Sequence, residues 1–509
     1  MGEATLDMDR LEEYYVLEAS VPTMTAVVPL EIDVVDDLAE GDGGGGQDKL
    51  ASLGSSGMRV RPEAEPWDAW LPITESRKGS TAKAVLHLVC SGIGFQGLSL
   101  PVALATLGWA GGITVLTLAF AWQLYTIWIL VHLHESPPPA TTRYSRYLQV
   151  MIHAFGPKLG KLLGIFPVMY LSGGSCVILI ITGGGAMRTL FDIFCAEGDT
   201  CQSRSLSGAE WFLVFTCIAM AIAQFPNLNS IAGVSLVGAV TGVTYCTILS
   251  VLAVRNSRRS GVSYEPLLAT AGKSVWTRSG DALYAVGTVA LSFRGHNLIL
   301  EIQGTLPTSP SSKETSEAPM WRAVMISYSI ISLCLYPLAI AGFWAYGDKI
   351  PSGGMLSAIS DTNLQHTSKF FLALVNGLVI LNTLTVFPIY AMPVFDNLEI
   401  RYTAITGRRR APAAARTCLR LFFGGLAFFI SVAFPFLPSL GPLIGGLASP
   451  LTFAYPCLMW VRIRKPRRGG ARRLITGLGC LGLILCVLWV AAALWRLIDK
   501  GLNADFFKP

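Results

Sequence analysis

The sequence predicts an all-α, polytopic membrane protein of about eleven transmembrane helices, and three observations lead there. Of its 509 residues, 52% are hydrophobic and only 14% are charged. Apolar runs of roughly 16 to 32 residues recur along most of the chain, and most can cross a hydrocarbon core of about 30 Å. Two of those runs are interrupted near their centres by glycine and polar residues, at the depth where lipid penalises loose backbone most. A soluble chain of this length would show far more polar surface between its elements. The net charge of +6 therefore bears on topology rather than on nucleic acid.

Residues 1–66 are of another kind: Glu12, Glu13, Asp36 and Asp37 accumulate, and Gly43 to Gly46 form a glycine run. Such a segment cannot bury enough apolar surface to offset its ordering entropy. The expectation is a disordered, acidic, cytosolic tail followed by a transmembrane domain over 67–509. The chain opens without the charged-then-apolar pattern of a signal sequence, so the first membrane helix is expected to drive insertion.

In chain order, the first span, Ala82 to Trp109, is apolar but holds Gly92-Ile93-Gly94-Phe95-Gln96-Gly97 and Pro101 at its middle. Gly112 to Leu133 follows without interruption. Tyr144 to Phe155 then reads as a short amphipathic helix on the cytosolic face. The third span, Leu159 to Leu190, places Tyr170, Ser172 and Ser175 at membrane depth. Glu210 to Phe225 is the shortest, and the Pro226-Asn227 turn signal separates it from Leu228 to Val254. The sixth, Asp281 to Leu306, carries Ser292-Phe293-Arg294-Gly295-His296-Asn297 at its centre. Met320 to Tyr346, Lys369 to Phe395, Thr417 to Phe436, Leu440 to Val461 and Leu474 to Leu497 complete the set, the eighth bearing Asn376, Asn382 and Thr383.

Arginine and lysine in short loops set the orientation. Arg401, Arg408, Arg409, Arg410, Arg416 and Arg420 cluster between spans eight and nine, and Arg462 to Arg473 between ten and eleven, which places the N-terminus inside. Arg77, Lys78 and Lys83 agree. Arg255, Arg258 and Arg259 after span five disagree and are outvoted. Nine cysteines lie in or at the ends of apolar spans, whereas Cys195 and Cys201 share a polar loop predicted to be external. A short disulfide and two unpaired thiols both fit that loop.

The Gly92-x-Gly94-x-x-Gly97 spacing matches a dinucleotide fingerprint, but its flanks are apolar helix and no carboxylate follows between Ile113 and Gln123. A nucleotide site is thereby rejected. Close helix packing explains these glycines as well as a binding site does. Span six shifts the balance, because an intramembrane arginine costs about 2.5–3.5 kcal/mol on insertion scales and needs a partner or water. Glycine-interrupted spans at corresponding positions of two halves point to a transporter site, and one corresponds to six in a five-plus-five inverted repeat. Broken ends expose N–H groups suited to a carboxylate and carbonyls suited to an ammonium, both of which a zwitterionic amino acid supplies. The predicted binding set is Gly92, Ile93, Gly94, Gln96, Tyr170, Ser292, Phe293, Arg294 and Asn297. His296 and, less directly, His87 are the proton-linked candidates, since imidazole titrates near neutrality. Packing roles remain open for both.

Further stretches add a likeness. Trp67-Asp68-Ala69-Trp70-Leu71-Pro72-Ile73-Thr74, Gly92-Ile93-Gly94-Phe95-Gln96, Pro226-Asn227-Leu228-Asn229-Ser230 and Phe293-Arg294-Gly295-His296-Asn297-Leu298, running into Glu301-Ile302-Gln303, resemble plant permeases of the lysine/histidine-transporter-like group. Pro319-Met320-Trp321-Arg322, Gly342 to Gly347 and Phe453-Ala454-Tyr455-Pro456 continue the match. The resemblance, to the amino acid/auxin permease family, implies an APC/LeuT-like fold with helices 1 and 6 broken. It implies a proton-coupled symporter importing amino acids across the plasma membrane by alternating access, not an enzyme, with the proton as coupling ion and no metal or other cofactor. The partners implied are a small-molecule amino acid, the proton and the lipid bilayer, with no nucleic acid and no obligatory protein partner. A vacuolar permease, an auxin or other weak-acid carrier and a non-transporting nutrient sensor are the alternatives. Where the group has asparagine after its first-span histidine this chain has Leu88, and where many members have a small residue before Gly-His it has Arg294. A fixed positive charge there disfavours cationic substrates.

Overall fold

Each predicted apolar run becomes helix, because in a bilayer only a helix satisfies the backbone from within one segment. The computed structural model describes residues 71–75, 77–135, 142–195, 206–255, 261–269, 274–293, 295–307, 315–362, 369–408, 410–437, 441–466, 469–500 and 507. The acidic stretch 1–66 lies outside them, as do Arg294 and Cys201.

Helix α1 (Thr81–Gly92) starts at Ser80, whose hydroxyl caps the Lys83 amide. A 3₁₀ turn (Phe95–Ser99) leads into α2 (Leu100–Leu133). Inside α2, Gly108 stands at φ 73 and ψ 177, and this glycine divides the second half of span one from span two. A side chain there would be strained, and its Cβ would lie 2.7 Å from Pro266 Cγ. Helix α3 (Tyr147–Phe155) is the predicted amphipathic helix. It packs along the start of α4 (Pro157–Cys195), where Gly160 and Gly164 admit it closely. Then come α5 (Gly208–Ile222), α6 (Ala232–Arg255), α7 (Val275–Ser292), α8 (His296–Gly304) and α9 (Glu317–Tyr346). A short α10 (Gly354–Thr362) precedes α11 (Lys369–Thr406) and α12 (Ala413–Ala433). Span ten is α13 (Gly441–Ser449), a π-helical turn opened by Pro450, and α14 (Tyr455–Ile463), before α15 (Gly469–Lys500).

Among the described residues, eight helical stretches are long and apolar enough to cross a membrane. They account for spans two, three, five and seven to eleven. Spans one and six are broken, and α5, the fourth, has 15 residues. The fold is the predicted all-α bundle.

Helix α11 is buried continuously from Asn382 to Asn397 and packs against α4 and α6. Around it α1 lies on α6 and α9, α2 lies on α7 and α9, and α15 lies outside on α7 and α13. The two ends of the bundle differ in chemistry. At the end bearing the basic loops, Arg146 grips Asp396 of α11, with Nε 2.5 Å from Oδ2. Arg416 bridges Glu399 at 2.9 Å and Glu75 at 3.3 Å, and Arg410 also reaches Glu75 at 2.7 Å. Residues 71–75 are held into this network, with the Ile73 amide on Asp396 Oδ1 at 3.3 Å. The opposite end holds an open cavity. Residues 261–269, which follow the discordant Arg255, pack there on the end of α9, where Tyr264 donates to the Trp344 carbonyl at 2.6 Å.

Candidate functional site

The first break begins where α1 stops. The Ile93 amide still bonds the Val89 carbonyl at 3.1 Å, but Ile93 (φ −96, ψ 103) and Gly94 (φ −141, ψ −177) are extended. The 3₁₀ turn then starts with no side-chain cap, so its first N–H groups lack intrahelical partners. Two of the freed carbonyls are claimed across the bundle. Tyr390 of α11 donates to the Ser91 carbonyl at 3.2 Å, and Ser292 of α7 donates to the Gln96 carbonyl at 3.4 Å.

In span six, Phe293 leaves the helical region (φ −103, ψ 48), and Gly295 adopts φ 132, which favours glycine. α8 also begins without a side-chain cap. Two uncapped helix starts, running toward opposite ends of the bundle, thus lie at neighbouring breaks, each with the positive end of its dipole inward.

The side chains converge on this gap. His296 is fully buried, with Nε2 2.9 Å from Thr126 Oγ1 and 3.3 Å from the Gln123 carbonyl, both on α2. Because a carbonyl only accepts, the neutral ring places its hydrogen on Nε2 and its lone pair on Nδ1. Asn297 donates to Ser172 of α4 at 2.9 Å, and Gln123 donates to the Ala290 carbonyl at 2.7 Å. His296 Nδ1, Asn297 Oδ1, Gln96 Nε2 and Gln123 Oε1 are all buried with no hydrogen-bond partner among the described residues. Leaving such an atom unpaired costs about 1–3 kcal/mol, a penalty that a polar ligand or water relieves. Phe293 walls the gap, edge-on to Phe120 with centroids 5.3 Å apart.

Several predicted members stand elsewhere. Tyr170 stacks on Phe166, itself 57% exposed, with centroids 5.2 Å apart; α4 offers Ser172 to the break instead. His87 pairs with Ser235 of α6 at 2.7 Å, an interhelical tie about 9 Å of helix rise before Ile93. Gly92 is a packing glycine, since a Cβ there would lie 2.5 Å from Ile331 Cδ1 of α9, and Gly97 meets Leu335 in the same way. Gly94 and Ile93 form the break itself. Asn382 bridges to the Gly238 carbonyl at 3.0 Å as interhelical glue. Cys195 is disulfide-bonded, while its predicted partner Cys201 lies outside the described residues, as does Arg294.

Of the gap's polar residues, Gln96 also borders open space toward the end away from the basic loops. A cavity of about 260 Å³ is lined there by Gln96, Ser99, Thr106, Thr288, Leu291 and Arg496, among others. It has room for about eight waters or one small polar solute. Arg496 reaches it from α15, stacked over Tyr284 at 3.9 Å and with Nη1 3.9 Å from Asp281 Oδ1. Gln123, Thr126, Ser235, Tyr390 and Arg496 are the site and support residues the sequence reading passed over. Gln123 alone left a signal, as an amide in an otherwise apolar run. Among the described residues no cluster of three or more His, Cys, Asp or Glu could hold a metal ion.

Paired broken helices across a buried polar gap, in a bundle of this kind, define a secondary transporter. The chain belongs to the transmembrane amino acid transporter protein family, which it matches over residues 77–498. It is 47% identical over 450 residues to lysine histidine transporter-like 8 of Arabidopsis thaliana, covering 87% of this chain and 84% of that one. Lysine histidine transporter-like 7 of the same plant is also 47% identical, covering 90% of this chain and 92% of the relative. Among solved structures, a substrate-bound, outward-open Na⁺-coupled sialic acid symporter superposes with TM-score 0.52 at 11% identity, covering 86% of this chain and 93% of the symporter. A nucleobase-cation-symport-1 family transporter in a closed conformation gives TM-score 0.50 at 12% identity, covering 86% and 97%. At such identities the likeness bears on the fold alone, which is the APC/LeuT-like one.

Proposed function

We propose that the chain is a proton-coupled symporter that imports amino acids across the plasma membrane by alternating access. The observation that carries this reading is the cluster of unpartnered polar atoms, from Gln96, Gln123, His296 and Asn297, between two uncapped helix starts. The N–H groups at Gly94 suit a carboxylate, and the Asn297 and Gln123 oxygens suit an ammonium. His296 takes the proton on Nδ1, the ring atom left open by its contacts. The basic loops face the cytosol, so the cavity faces outward and the Arg146–Asp396 end is closed. Arg294, beside the break in sequence, favours neutral or acidic amino acids over lysine and histidine, the two in the relatives' names. One proton gains about 2.3 kcal/mol per 100 mV and about 1.4 kcal/mol per pH unit, enough to concentrate a neutral substrate several-hundredfold.

The test is uptake of a labelled amino acid panel by permease-deficient cells, at two external pH values and with sodium replaced. Uptake that rises on acidification and ignores sodium is expected. Indifference to pH removes the proton, ligand binding without uptake indicates a sensor, and a tagged chain found only on vacuoles moves the site of action.

A further inference from the structure

Five residues beyond His296, about 7.5 Å of helix rise toward the basic end, α8 carries Glu301. Its side chain is 3% exposed. One carboxyl oxygen accepts the Tyr147 amide hydrogen at 3.3 Å, and the other is buried with no hydrogen-bond partner among the described residues. The adjacent cation, Arg146, is near enough for its charge to reach Glu301, but its hydrogen bonds go to other groups. Arg146 bonds Asp396 through Nε at 2.5 Å and Nη2 at 3.2 Å, and reaches the Thr74 hydroxyl at 3.4 Å. Two carboxylates beside one arginine are not both easily ionised away from water, and Asp396 holds the better donors.

The surroundings of Glu301 sharpen the contrast. At the start of α3 it meets Tyr147 and the preceding Arg146, and from α11 Asp396. Val168 and Met169 face it from α4, and Tyr455 and Cys457 at the start of α14 lie around Tyr147. The hydrogen-bonding contacts of α2 with this helix are neutral: the Thr126 hydroxyl and the Gln123 and Val131 carbonyls. A space of about 30 Å³ between Glu301, Arg146 and Asp396 has room for one water.

We propose that Glu301 is the proton-release group of the transport cycle, protonated while the basic end is closed and ionised when it opens. The proposal rests on the proton-coupled reading above. In the closed arrangement the second oxygen of Glu301 bears the hydrogen. When residues 71–75 and α3 withdraw, the Tyr147 amide leaves and water enters. The O–H proton passes to that water, the carboxylate remains, and the proton is lost to the cytosol. His296 loads from the outer side, and Glu301 discharges on the inner.

The experiment uses full-length chain in proteoliposomes with a labelled mixture of the proteinogenic amino acids, comparing pH-gradient-driven net uptake with exchange in the absence of a gradient. Glu301→Gln, fixed in the neutral form, should lose about tenfold or more of the driven uptake while exchange stays within about twofold, and Glu301→Asp should regain part of the driven uptake. An infrared difference spectrum, wild type against Glu301→Gln at neutral pH, should show the C=O stretch of a protonated carboxyl whichever amino acid is carried. Absence of that band overturns the proposal, as does a variant that keeps full driven uptake or one that loses both modes with no rescue by Asp. Wild-type uptake that ignores the gradient instead overturns the proton-coupled reading itself.

Discussion

The Ser292 hydroxyl on α7 lies 3.4 Å from the Gln96 carbonyl, so the two interrupted spans touch where each loses its helix. The hydroxyl's single hydrogen is shared with the Thr288 carbonyl of its own helix, at 3.1 Å. Replacing Ser292 by Ala removes a donor between two segments that must hold substrate together. The expected loss is about fivefold in apparent affinity, equivalent to about 1 kcal/mol, with Ser292→Thr close to wild type. Concentration-dependent uptake measures both, and an unchanged KM for the alanine variant would make the bond incidental.

The glycines divide into two physical kinds, and substitution separates them. Gly92→Ala puts a Cβ 2.5 Å from Ile331 Cδ1, an overpacking cost of about 1–3 kcal/mol. Trimming the neighbour, as Gly92→Ala with Ile331→Ala, should restore both melting temperature and uptake. Gly295→Ala has space, since the nearest atom is the Tyr328 hydroxyl at 3.7 Å, but φ 132 carries a conformational cost of about 1–3 kcal/mol. No trimmed neighbour should rescue it.

How much of this was legible follows the range of the interactions. Hydropathy gave the spans because burying backbone in lipid is a local requirement, and the pair of broken helices was legible because glycine and charge at midspan have few other uses. Tyr170 and His87 meet partners away from the break, because periodicity fixes a residue's depth but not the neighbour its face meets. Two positions along α4 separate a tyrosine stacked on Phe166 from the serine that meets Asn297. The Arg146–Asp396 pair joins residues 250 apart in sequence, and no local pattern announces it. Arg496 was passed over because α15 lies outside the repeat, yet it lines the cavity at the end away from the basic loops.

His134, just past the end of α2, should give the fold a pH dependence separate from transport. It is fully buried, with Nδ1 2.9 Å from the Tyr144 carbonyl and Nε2 3.2 Å from Arg143 Nη2, an arrangement that requires a neutral ring. Burial first, then the Arg143 charge, hold its pKa well below the ordinary histidine value. Below about pH 6.5 the unfolded chain binds a proton that folded His134 refuses, so stability is full above that value and falls as pH drops. The slope contributed is at most about 1.4 kcal/mol per pH unit. Melting temperatures of detergent-solubilised protein from neutral to mildly acid pH should fall less steeply for His134→Gln than for wild type; equal slopes would place the effect on another group.

Arg496 lines the cavity at the end away from the basic loops, and its charge has two claims on it. Asp281 stands 3.9 Å away on α7, and the Tyr284 ring lies under the guanidinium at the same distance. With 27% of its side chain exposed, the Asp281 pair is partly screened and the arginine retains attraction for an incoming carboxylate. Were Arg496 only a strut tying α15 to α7, Arg496→Gln would lower stability without altering KM. If it gathers substrate, the same variant should raise KM by about three- to tenfold with kcat little changed, and the difference from wild type should shrink as salt rises. Arg496→Lys separates charge from shape. It keeps long-range attraction but stacks less well on Tyr284, so a near-normal KM with lowered melting temperature would assign affinity to the charge and stability to the stacking. Uptake against concentration at two ionic strengths, with melting curves on the same preparations, resolves these outcomes.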